Sequence, residues 1–263
     1  MSGNARTIEA NGNGREVRIA AVGDLHYDGG TAEGLRNLFT EMDRNADIVV
    51  LCGDLTSHGK PDQIKGFVEH LAAVRIPIVA VLGNHDYEAS QADALIEQMR
   101  AHGVHVLDGD YVVIVGVGFA GTKGFAGGFG RGALAPFGEP LIKDFVQAAI
   151  DEAIKIENAL RNLHAATKIA VLHFAPIIDT VLGEPEYIYP FLGSSRLLEP
   201  IETIGADVIF HGHAHHGRLS GVTPGGIPVF NVAYPLLAQN GGPGYKLWTV
   251  AATTDARAEN GLR

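Results

Sequence analysis

Aspartate, asparagine and histidine recur at one kind of position in this chain, directly after short apolar runs. VRIAAV leads into Gly23-Asp24-Leu25-His26, DIVVLC into Gly53-Asp54, IVAVL into Gly83-Asn84-His85-Asp86, KIAVL into His173, and DVIF into His211-Gly212-His213. Singly these are weak signals, since Gly-Asp after a strand is usually a turn and an isolated buried histidine is usually a packing or capping residue. Unrelated turns have no reason to reserve these residue types for the same place, so the shared position is the signal.

Carboxylate, amide and imidazole donors without thiolate suit first-row divalent metals such as Mn, Fe or Zn. Two divalent cations about 3.5 Å apart repel by roughly 19 kcal/mol at an effective dielectric of about 20. Such a pair requires an anionic bridge, while neutral imidazoles fill the remaining positions without overcharging the site. Asp54 is the expected bridge.

The runs that carry these residues read as strands over Val17–Val22, Asp47–Cys52, Ile78–Leu82, Tyr111–Val117, Lys168–Leu172, Asp207–Phe210, Ile227–Val232 and Lys246–Val250. Helical periodicity falls between them over Thr31–Arg44, Pro61–Val74, Ser90–Ala101 (with a Ser90/Asp93 capping pattern), Leu141–Leu163 and Ser194–Ile204, where Pro200 could break the last. The alternation indicates an α/β architecture, and open α/β sheets bind ligands at the carboxyl ends of their strands. Gly116–Gly132 is too glycine-rich to be regular throughout; it reads as a flexible loop or as a lid whose Lys123 or Arg131 reaches a phosphate. The first fifteen or so residues and those after about Ala252 read as loosely held tails.

With 263 residues, 46% hydrophobic and 19% charged, the chain fits one globular domain spanning residues 1–263. The net charge of −10 argues against a nucleic-acid partner, although bound cations would cancel part of it. The lone Cys52 has no disulfide partner and reads as a core residue. No apolar stretch suits a membrane span or signal core, so a cytoplasmic, soluble protein is expected.

The ordered motifs D-x-H, G-D, G-N-H-D, H and G-H-x-H, running from Asp24 to His213, resemble those of the calcineurin-like metallophosphoesterase superfamily. That resemblance implies a four-layer α-β-β-α sandwich of two mixed sheets. It implies one metal held by Asp24, His26, Asp54 and His213, and another by Asp54, Asn84, His173 and His211. His85 would contact the scissile phosphate and assist the leaving group, with Asp86 behind it fixing its tautomer. The implied reaction is in-line attack on phosphorus by a metal-bound hydroxide, with Mn or Fe favoured and Zn compatible.

Gly53-Asp54-Leu55-Thr56 followed by Gly59, together with the chain length, looks most like the bacterial cyclic-nucleotide phosphodiesterase branch. That branch commonly has a second histidine after His173, where this chain has Phe174, an aromatic that could stack on a base. A small phosphodiester is therefore the favoured substrate. The rival readings are a monoesterase or pyrophosphohydrolase, a nuclease, and a non-catalytic scaffold. His58 could line the pocket, and His215 or His216 could approach substrate or serve the turn. A homodimer is compatible with the sequence.

Overall fold

In a computed structural model the chain is described over residues 14–30 and 33–253. Both expected tails, except for the few residues that enter the terminal strands, and the expected helix start at Thr31 lie outside this range. The strands are β1 (Gly14–Val22), β2 (Ile48–Cys52), β3 (Ile78–Val81), β4 (His105–Val106), β5 (Asp110–Ile114), β6 (Val117–Gly121), β7 (Thr167–Val171), β8 (Val208–His211), β9 (Ser220–Val222), β10 (Pro228–Asn231) and β11 (Lys246–Thr253). The helices are α1 (Glu33–Asn45), α2 (Pro61–Leu71), α3 (Ala92–Ala101), α4 (Pro140–Asn162), α5 (Tyr189–Leu192), α6 (Ser195–Ile204) and α7 (Tyr234–Gln239). No described helix is long and apolar enough to cross a membrane.

Two mixed sheets result, ordered β11-β1-β2-β3-β4 and β5-β6-β7-β8-β10-β9. In the second sheet the two-residue period of a strand divides the side chains between two cores. Phe119, Ile169, Val171, Val208 and Phe210 join the cluster that contains the first sheet. Their neighbours Ala120, Ala170, Leu172 and Ile209 pack with Ile156 and Leu160 of α4 and Leu197 and Ile201 of α6. Helices α1 to α3 supply Phe39, Met42, Ile64, Phe67, Leu95 and Met99 to the first cluster. The layers therefore run helix, sheet, sheet, helix, as the motifs implied.

The sheets meet at their carboxyl ends, where Gly23 N donates to Val232 O at 2.9 Å and Tyr234 N to Gly23 O at 2.9 Å. Because β1, β2, β3, β7 and β8 all run the same way within their sheets, their following loops gather along this seam.

Several elements depart from expectation. The run Tyr111–Val117 is the hairpin of β5 and β6 rather than one strand, turning at Val115 and Gly116 with φ of 52° and 78°. Positive φ at both central residues marks the tight turn suited to the strands' twist. Valine there hides the turn in an apolar run. Ser90 has φ 54° and does not cap α3, whose N-cap is Gln91. Pro200 lies inside α6 without ending it, and Ser194 accepts from Arg196 N as the cap.

A β-branched residue at positive φ costs of the order of 1–2 kcal/mol, and Val115 is 43% exposed, so its side chain contributes little packing. Val115→Asn is expected to stabilise the protein by about 1 kcal/mol, read as a higher urea midpoint with unchanged slope. A lower midpoint would contradict the turn assignment.

Candidate metal centre

The loops after β1 and β2 run side by side, with Asp24 N donating to Gly53 O at 2.8 Å, His26 N to Asp54 O at 3.0 Å and Tyr27 N to Leu55 O at 3.1 Å. To make these bonds while turning their side chains into the seam, Asp24, His26 and Asp54 adopt φ of 56°, 43° and 48°, and His213 adopts 71°. Left-handed backbone at non-glycine residues is maintained only where the surroundings enforce it, and it concentrates at functional sites. The close approach also explains two glycines: a Cβ on Gly83 would collide with Asp54 Oδ1, and one on Gly212 with Asp24 Oδ2.

Asp54 is the hub. Its Oδ1 accepts from His85 N at 2.9 Å. Its Oδ2 lies 3.4 Å from His173 Nε2, 3.8 Å from His26 Nε2 and 4.0 Å from His85 Nε2. On one side Asp24, His26 and His215 offer ligand atoms within 4.8 Å of one another, and on the other Asp54, His173 and His213 do the same. His215 Nε2 is 2.9 Å from Asp24 Oδ1, and Asn84 Oδ1 is 3.0 Å from His173 Nε2.

Outer contacts fix which ring nitrogens face inward. His173 Nδ1 donates to Cys52 O at 2.9 Å, which leaves Nε2 toward Asp54 and Asn84. His213 Nε2 donates to Phe191 O at 3.2 Å, which leaves Nδ1 for the cluster. Such carbonyl partners are what orient metal-binding imidazoles.

His211 departs from its expected role. It ends β8 fully buried, with Nε2 2.8 Å from Thr180 Oγ1 and Nδ1 2.8 Å from Gly212 O, and it takes no part in either group. His213 lies with Asp54 and His173 rather than with Asp24 and His26, whose partner is His215. The motif G-H-x-H fits Gly212-His213-Ala214-His215, and this alignment carries the signal that the reading His211-Gly212-His213 missed.

Asp86 also differs from expectation. His85 Nδ1 donates to Ser57 O at 2.9 Å with Glu88 Oε1 at 3.4 Å, so Asp86 does not set its tautomer. The Asp86 carboxylate instead accepts from Leu55 N at 3.2 Å, Thr56 N at 2.9 Å, Thr56 Oγ1 at 2.8 Å and Gly83 N at 2.9 Å, tying the loops after β2 and β3 together. Burial, followed by the charge on Asp54, pushes its pKa up to about 6 against these donors.

The neighbouring residues sort clearly. His58 pairs with the exposed Glu88 and flanks His85, its ring centroid 6.5 Å away. Tyr27 packs edge-on to His70. Phe174 is 5% exposed and wedged against His213, so its face is not open to a base. Between Gly116 and Gly132, Val117–Gly121 is strand, Thr122 and Gly124 are buried, and Arg131 is exposed on a short 3-10 helix.

Electrostatics test whether cations suit this cluster. Asp24 and Asp54 are each 1% exposed, and among the described residues histidines are the only side chains within ion-pair range of either. Buried carboxylates without a cationic partner are strongly destabilising. Burial lowers His213 to about 3 and His211 to about 4, so both are neutral near pH 7. Burial also opposes charging His173, but Asp54 outweighs it and raises the ring to about 9. Near pH 7 the His173 imidazolium is thus the balancing charge beside Asp54, and oxygen and nitrogen donors around two buried carboxylates fit divalent cations that would take that proton's place.

A family model described as calcineurin-like phosphoesterase matches residues 17–217. A Moraxella catarrhalis (strain BBH18) protein described as a probable cyclic nucleotide phosphodiesterase is 32% identical over 96 residues, 34% of this chain and 35% of that protein. The match thus spans about a third of that relative's length. Among solved structures, phosphopantetheinyl hydrolase from Mycobacterium tuberculosis is similar with a TM-score of 0.65 at 14% identity, covering 90% of this chain and 96% of that one. GAP50, the anchor in the inner membrane complex of Plasmodium, has a TM-score of 0.54 at 11% identity, covering 84% and 72%. A fold shared by a hydrolase and an anchor leaves activity to be argued from side chains.

In the metal-free protein, the raised pKa of His173 stabilises the fold fully below its ordinary 6.5, and this contribution is lost as pH climbs through about 9. A cation must displace the same proton, so affinity for Mn²⁺ is expected to rise by up to about tenfold per pH unit across that window and then level off. Calorimetric titration at several pH values checks this. A flat profile between pH 6.5 and about 9 would contradict it.

Proposed function

Because the chain belongs to the calcineurin-like phosphoesterase family, we propose that it is a metal-dependent hydrolase of phosphoester bonds whose two cations share the carboxylate of Asp54. The observation that carries this is the position of Asp54 Oδ2, facing His26 on one side and His173 on the other. Asp24, His26, Asp54 and His215 would hold one cation, and Asp54, Asn84, His173 and His213 the second. Mn or Fe is favoured and Zn is compatible. When bound, the pair supplies Lewis acidity, neutralising phosphoryl charge and making a water acidic enough to act near neutral pH.

His85 is the chain's own acid-base group. Its ring is 35% exposed, and Nδ1–H is held by Ser57 O with Glu88 nearby. In its imidazolium form, Nε2–H is therefore presented beside Asp54, where it can hydrogen-bond the phosphoryl group and pass a proton to the departing oxygen. Asp86 acts at one remove by holding the Asp54 and Gly83 loops in register.

A small phosphodiester, with a cyclic nucleotide as the candidate, is the favoured substrate; the description of the Moraxella relative supports it. The aromatics available to a base are Phe191, 59% exposed beside His213, and Tyr187, 81% exposed on the same segment. The net charge of −10 disfavours a nucleic-acid polymer.

The test is hydrolysis of bis(p-nitrophenyl) phosphate with added Mn²⁺, with metal content measured in parallel. His85→Ala is expected to keep its metal and lose about 10²- to 10⁴-fold in kcat. His215→Ala is expected to lose metal and activity together, whereas His211→Gln keeps both. An empty His211→Gln beside a loaded His215→Ala would reverse the ligand assignment. A wild-type protein that binds no metal and turns over no phosphoester would favour a scaffold.

A further inference from the structure

Lys123 holds a half-buried ammonium that feels the charges of Glu152 and Asp108 but, among the described residues, has no carboxylate in ion-pair range, and it lies one aromatic ring away from the metal-site histidines. It follows β6, and its carbonyl accepts from His173 N at 3.0 Å and Phe174 N at 3.1 Å. Its Nζ lies 5.7 Å from the ring centroid of Tyr87, 5.0 Å from Phe125 and 5.2 Å from Phe174. Tyr87 belongs to the same 3-10 turn as His85, and Phe174 touches His213 with ring centroids 4.4 Å apart. A single ring therefore separates the ammonium from His213.

The segment is clamped from behind. Glu152 of α4 accepts from Thr122 Oγ1 and, at 2.7 Å, from Gly124 N, and its other oxygen is taken by Lys155 Nζ at 2.9 Å. Lys123 itself makes one hydrogen bond, to Gly124 O at 2.7 Å, and among the described residues no carboxylate is in ion-pair range of it. Aromatic faces partly compensate a buried cation but leave its remaining N–H donors unused. A desolvated ammonium with spare donors is a strong partner for an arriving anion.

We propose that Lys123 is a substrate-binding residue that takes the third non-bridging oxygen of a dianionic phosphate, the one that a monoester has and a diester lacks, so that the site accepts terminal phosphomonoesters in addition to diesters. This rests on the hydrolase reading above. A monoester carries one more charge than a diester at neutral pH, and that extra charge is what a fixed cation rewards. The rings of Tyr87, Phe125 and Phe174 act as positioning groups that keep the ammonium from folding into solvent.

The experiment compares wild type, Lys123→Met and Lys123→Arg, all loaded with Mn²⁺. The readouts are binding of inorganic phosphate by calorimetry, kcat and KM for p-nitrophenyl phosphate and bis(p-nitrophenyl) phosphate, metal content, and thermal unfolding. Loss of one charge-assisted hydrogen bond is expected to raise the phosphate Kd and the monoester KM by about ten- to a hundredfold in Lys123→Met. The diester KM should move by less than about threefold, with kcat and metal content kept and Lys123→Arg restoring most of the phosphate affinity. An unchanged phosphate Kd in a folded, metal-loaded Lys123→Met overturns the proposal. So does equal loss toward both esters accompanied by loss of metal or folding, which would make Lys123 a packing residue. Wild type inactive toward both esters would sink the hydrolase reading, while the phosphate titration would still decide the role of Lys123.

Discussion

The Asp54 carboxylate is held almost wholly out of water among three imidazoles, and among the described residues no lysine or arginine is in ion-pair range of it. Near pH 7 its charge is balanced by the imidazolium that it induces at His173, a proton that a metal cation would replace, and the rest of the site can be understood as the means of holding it there. The loop carrying Asp54 is bonded to the loop of Asp24 and His26, and the Asp86 strut ties it to Gly83. Gly83 leaves room for one of its oxygens, and His173 of the second sheet closes over the other. Each contact fixes the carboxylate in a place where water cannot stabilise it.

That arrangement links stability to ligand binding. Four left-handed non-glycine residues lie at the seam between the sheets beside two buried carboxylates, and each left-handed residue costs of the order of 1–3 kcal/mol in isolation. Anything that binds the folded site and not the unfolded chain offsets these costs by mass action. The layered cores on either side supply the rigidity. Side chains such as Phe119 and Phe210 on one face and Leu172 and Ile209 on the other prevent the second sheet from relaxing away from the first.

Much of this was legible in the residues because strand ends advertise themselves: an apolar run that stops at glycine and a ligand-type side chain has one structural explanation. Asp24, His26, Asp54, Asn84, His85 and His173 come together as that pattern required. What escaped the sequence was frame and direction. In HGHAHHG either of two overlapping pairs could supply ligands, and only the direction of the chain after β8 turns His213 and His215 inward while His211 stays with Thr180. Asp86 follows His85 directly, but its carboxylate points back to Thr56, a contact set by tertiary structure and invisible to spacing. The turn at Val115 was hidden because valine carries none of the composition that normally marks such a bend.

The central claim is that one carboxylate serves two cations at once. Electron paramagnetic resonance of the protein titrated with Mn²⁺ tests it directly, because two Mn²⁺ ions joined by a shared ligand couple their spins. The account requires the isolated six-line signal to be replaced by a coupled spectrum as the second equivalent binds, and the coupling to vanish in Asp54→Asn. A six-line signal that saturates at one equivalent, or coupling that survives the loss of Asp54, would contradict it.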